Sequence, residues 1–103
     1  MQVNSNLHNK KLTVEERILL FLRDFSGYSI HKIAKDIKEN DAVVRTTINN
    51  LLGRNLVTEH KPNSLIRLIY LNWDGAGREL EKEFDRINRK LKNLGGENSH
   101  NVL

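Results

Sequence analysis

A chain of 103 residues supports one folded domain and little more, and its net charge of +4 favours partners that carry phosphate. The absence of cysteine excludes disulfides, thiolate catalysis and cysteine-based zinc sites. No apolar run approaches the roughly 20 residues of a membrane span, and the polar start carries no secretory segment, so the expected compartment is the cytoplasm. In chain order, residues 1–11 are polar and Asn-rich, and a disordered tail is expected there. Thr13 followed by Glu16 is a capping box, which opens a first helix. Val14, Ile18, Phe21, Leu22 and Phe25 share one face of that helix, and Leu19 and Leu20 widen it. Gly27 stops it, and Tyr28-Ser29-Ile30 reads as a short extended stretch.

A second helix turns Ile33, Ala34 and Ile37 inward and Lys32, Lys35, Asp36 and Lys38 outward. Asn40 suits the N-cap of a third helix, at about 41–54. There Val44, Ile48, Leu51 and Leu52 share one face, and Arg45, Thr46, Asn49 and Asn50 share another. Asn55 follows, where a residue able to adopt positive φ is wanted. Leu56 to Lys61 reads as a strand, Pro62-Asn63-Ser64 as a turn, and Leu65 to Leu71 as the return strand. A last helix is expected at 74–94, capped by Asn72 or Asp74, and residues 95–103 form a second disordered tail. In that helix Leu80, Phe84, Ile87, Leu91 and Leu94 make a heptad-like seam. Part of it, at Leu80 and Phe84, is expected to cover the chain's own core, and the rest to pair with a second copy.

Three helices followed by a hairpin make a winged helix-turn-helix domain at 12–73, in a mainly α fold with a small β wing. The spacing from Ile33-Ala34 to Val44, Ile48 and Leu51, then Asn55-Leu56-Val57, resembles the core pattern of winged-helix regulators. Tyr70-Leu71-Asn72 and Gly77-Arg78-Glu79-Leu80 resemble the passage into the final helix of the MarR-like families. Asn55 stands where those families usually have Gly, Asn72 where they have Thr, and the stretch from Leu71 to Gly77 is slightly longer than theirs. Their additional dimerisation helices have no counterpart before Thr13, so a dimer is expected to depend on the final helix alone.

The resemblance implies a homodimeric, sequence-specific protein for double-stranded DNA, a transcription regulator. Arg45, Thr46 and Asn49 would read the major groove, with Arg suited to guanine and Asn to adenine. Lys32 and Lys35 would clamp flanking phosphates. Lys61 and Arg67 would meet the backbone from the wing at about 58–68. Residues 29–67 carry seven Lys and Arg against four Asp and Glu. A winged helix that binds only protein has no need of that charge, although such a module, or a replication or copy-control protein, shares the architecture. His31 falls at the expected N-cap of the second helix, Trp73 at a packing position beside the last, and the four histidines lack metal-ligand spacing. No nucleophile–base pair or phosphate loop is recognisable, so neither an enzyme nor a cofactor is expected.

Overall fold

The computed structural model describes residues 5–101, with side chains for residues 6–94. Helix α1 (Val14–Asp24) starts where the sequence indicates. Thr13 Oγ1 accepts from the Glu16 N–H at 3.1 Å, and Glu16 Oε1 accepts from the Thr13 N–H at 2.7 Å. Strand β1 (Tyr28–Ser29) leads into α2 (Ile30–Ile37). Ser29, not His31, caps α2, its side chain accepting from the Lys32 N–H. The reason is local: Ser29 has the extended backbone a cap needs, and His31 already lies inside the helix. Lys38 ends α2 in the left-handed region, and Asn40 caps α3 (Asp41–Gly53). Asn55 takes φ 64° just beyond α3, as expected of an Asn standing in for Gly.

Strands β2 (Val57–Asn63) and β3 (Ile66–Leu71) form the hairpin, and β1 pairs antiparallel with β3, giving the order β1-β3-β2. The turn sits one to two residues later than expected, at Ser64-Leu65, because Pro62 and Asn63 remain in β2 beyond a register shift after His60. Gly27 holds φ 82° at the entry to β1, and a Cβ there would meet the Tyr70 ring at 2.8 Å. Helix α4 spans Trp73–Asn101, with a non-helical kink at Ala76. Asn72 Oδ1 accepts from the Gly75 N–H, and the Ala76 N–H bonds to the Asn72 carbonyl at 2.8 Å.

One core joins these elements. Ile18, Phe21, Ile33, Ile37, Ile48, Leu51 and Ile69 are all buried in it. Two sequence expectations are corrected. Residues 5–11 are not a free tail: Ser5–His8 form a 3-10 turn, and Leu7 and Leu12 are 1% and 2% exposed. His8 Nε2 donates to the Asp36 carbonyl at 2.6 Å, which ties this segment to α2. Residues 1–4 lie outside the described part. At the other end α4 continues through residues 95–101, and 102–103 are not described.

The expectation that Ile87 pairs with a second copy is corrected, because this side chain packs into the chain's own core. Leu80 and Ile87 are fully buried and Phe84 is 7% exposed within this one chain, while Leu91 and Leu94 are half-buried against the same core. The stripe covers the face of α1: Arg86 Nη1 and Lys90 Nζ reach Glu16 at 2.7 and 2.9 Å. Burial pushes the Glu16 carboxyl up, but hydrogen bonds from Lys90, the Thr13 N–H and Arg86 outweigh it and bring its pKa down to about 2. At the kinked start Trp73 stacks on Phe84, with ring centroids 5.9 Å apart. No helix among the described residues is long and apolar enough to cross a membrane.

Candidate nucleic-acid interface

Helices α2 and α3 pack through Ala34, Ile33 and Ile37 on one side and Val44, Ile48 and Leu51 on the other, all completely buried. That burial leaves α3 no rotational freedom, so Arg45, Thr46, Asn49 and Asn50 face out. Beneath α2, the guanidinium of Arg17 braces the turn. Its Nη1 donates to the Ile37 carbonyl at 3.1 Å and its Nη2 meets Glu39 at 2.7 Å. Arg17 holds the Glu39 carboxyl below its ordinary pKa.

The hairpin lies beside α3. Between them opens a cleft of about 430 Å³, lined by the starts of α2 and α3 (Ser29, His31, Asp41, Arg45) and by wing residues Lys61 and Arg67. Leu65, at the wing tip, is 91% exposed. His31 Nδ1 donates to Asp41 Oδ2 at 3.0 Å across the mouth of this cleft. Asp41 also sits in the first turn of α3, where the helix dipole favours its charge.

The candidate residues fall into two groups. Lys35 and Arg45 are exposed and have no ion-pair partner among the described residues, and Thr46 is exposed beside Arg45. The others are engaged. Lys32 Nζ pairs with Asp36 at 3.3 Å, and Lys61 Nζ lies 4.0 Å from Glu59. Arg67 Nε donates to Glu59 at 2.6 Å, and its Nη2 donates to Asn49 Oδ1 at 3.0 Å. Arg45, Lys61 and Arg67 therefore meet at one cleft, whereas Lys32 and Lys35 lie on α2 outside its lining. Sequence reasoning missed Ser29, His31 and Leu65 as neighbours of this surface. It also missed Glu59, although opposite charges two positions out of register across a hairpin are a readable signal. Among the described residues no group of three or more His, Asp or Glu could hold a metal ion.

Solved structures share this fold. The DNA complex of MepR from S. aureus matches with a TM-score of 0.60 over 94% of this chain and 81% of that one, at 19% identity. A MarR family protein from Bacillus stearothermophilus matches with a TM-score of 0.59 over 86% of this chain and 63% of that one, at 17% identity. This chain has the MarR-type winged-helix fold. BpsR of Bordetella bronchiseptica, whose DNA binding is regulated by 6-hydroxynicotinic acid, is 28% identical, with a TM-score of 0.57 over 80% of this chain. The chain spans 62% of BpsR, so the winged helix here corresponds to less than two thirds of that protein. No protein-family model and no curated protein sequence matches the chain.

Proposed function

We propose that this winged-helix protein binds double-stranded DNA in a sequence-specific manner, as a homodimer, and regulates transcription from the cytoplasm. The observation that carries the reading is Arg45. It stands exposed on the outer face of a helix whose opposite face is wholly buried, at the lip of the wing cleft, with no carboxylate partner among the described residues. A guanidinium so placed is suited to the guanine edge in the major groove. Thr46 lies beside it for a second contact, Lys35 and Lys32 would meet phosphates from α2, and Lys61 would meet the backbone from the wing. The DNA complex of MepR, a protein of the same fold, supports DNA as the partner.

The dimer on this reading uses Leu91 and Leu94, since Leu80, Phe84 and Ile87 serve the chain's own core. Two-fold symmetry would put the paired α3 helices in successive major grooves about 34 Å apart. Selection of bound sequences from a random duplex pool tests the proposal. Recovery of a palindrome, bound with a steep log–log salt slope of about 0.9 per phosphate contact, is the expected result. Binding with no salt dependence and no recovered sequence would favour a protein-binding module instead.

A further inference from the structure

We infer that Arg67 is not a phosphate contact but the positioning residue that makes Asn49 a hydrogen-bond donor to guanine. This rests on the proposal that α3 reads DNA. An Asn side chain has one acceptor end and one donor end, and its orientation is set by whichever neighbour bonds it. A guanidinium has donors only. Arg67 Nη2, 3.0 Å away, therefore fixes the Asn49 carbonyl oxygen toward the wing. Arg67 is itself held, because its Nε donates to Glu59 Oε2 at 2.6 Å, and both side chains are three-quarters covered. The chain Glu59–Arg67–Asn49 thus runs from β2 through β3 to the exposed face of α3.

The consequence is chemical. Asn recognises adenine by accepting from N6 while donating to N7. With its oxygen committed to Arg67, Asn49 presents its NH₂ group outward. That group matches the guanine edge, where N7 and O6 both accept, and it meets the N6 amino group of adenine donor to donor. The adenine preference read from residue type alone is thereby replaced by a guanine preference. The same bonds hold the Arg67 guanidinium between Glu59 and Asn49, with its Nε and Nη2 turned to those partners and not to a phosphate.

The test measures affinities at matched salt for duplexes that differ at single base pairs, for the parent and for Asn49→Ala, Arg67→Ala, Arg67→Lys and Glu59→Gln. Circular dichroism confirms that each variant folds. The parent should favour guanine over adenine by roughly tenfold at the base pair whose preference Asn49→Ala abolishes. Arg67→Ala and Arg67→Lys should both lose that preference and leave the log–log salt slope unchanged. Arg67→Lys keeps the charge but loses the planar fork, so its failure to rescue marks positioning rather than electrostatics. The Asn49→Ala/Arg67→Ala double variant should be no worse at that base pair than Asn49→Ala alone. A parental preference for adenine overturns the inference. So does an Arg67→Ala variant that weakens all duplexes equally and lowers the salt slope by about 0.9. If the parent binds no duplex at all, the DNA-reading proposal falls and takes this inference with it.

Discussion

Glu16→Gln isolates the contact that fastens α4 to the rest of the domain. The substitution keeps the size of the side chain and one acceptor for the Thr13 N–H, and it removes the charge that Arg86 and Lys90 neutralise. The Glu16 side chain is only 2% exposed. Burial alone would raise its pKa. Its three hydrogen-bond partners instead lower it from 4.5 to about 2. At 1.36 kcal/mol per pH unit this corresponds to about 3 kcal/mol of differential stabilisation. Arg86 and Lys90 are 44% and 35% exposed, so solvent screening reduces the value to about 2 kcal/mol. The folded-state pKa lies below the unfolded one. The contribution is therefore fully present above pH 4.5 and fades as the pH falls through about 2. Urea unfolding of parent and variant at pH 7 and pH 3 is the assay. The gap should be about 2 kcal/mol at pH 7 and less than half of that at pH 3. An equal gap at both pH values would mean that the cost arises from packing and not from the charge.

Gly27→Ala should cost about 1–3 kcal/mol in thermal or urea unfolding, because it combines positive φ with a Cβ set against the Tyr70 ring. Lys35→Ala should weaken binding to all duplexes alike and lower the salt slope by about 0.9, as titrations at several salt concentrations would report. Replacing Leu91 and Leu94 together with Glu should turn the proposed dimer into a folded monomer in sedimentation, since Leu80 and Ile87 remain to hold α4 in place.

The helical frame was legible from local chemistry. Thr13 with Glu16, Asn40 and Asn55 are residues whose side chains or backbone preferences act within a few positions, and each does what its type suggests. The inward faces of α1, α2 and α3 follow from period alone. The N-terminal segment was not legible, because Leu7 and Leu12 are too sparse to make a pattern and gain their burial only by docking on the finished core. The seam on α4 was legible as an apolar stripe, but periodicity cannot say whether the surface covering it belongs to the same chain. At the candidate interface, residue type pointed to Arg45 and Asn49 on α3. It could not reveal that Asn49 is bound to Arg67, a contact spanning 18 positions that exists only once the wing folds against α3. His31 was misread because Ser29, two residues earlier, holds the cap, and which of two nearby polar residues does so is settled by backbone geometry.

Whether the exposed face of α3 reads base pairs is decided by Arg45→Ala. Arg45 belongs to no buried cluster and has no ion-pair partner among the described residues, so its loss should leave the melting temperature unchanged. Affinities of parent and variant for the selected sequence and for random duplex, at one salt concentration, are the measurement. The variant should lose about 1–3 kcal/mol on the selected sequence, with a much smaller loss on random duplex. Equal affinity of parent and variant for the selected sequence would contradict the assignment of α3 as the reading helix.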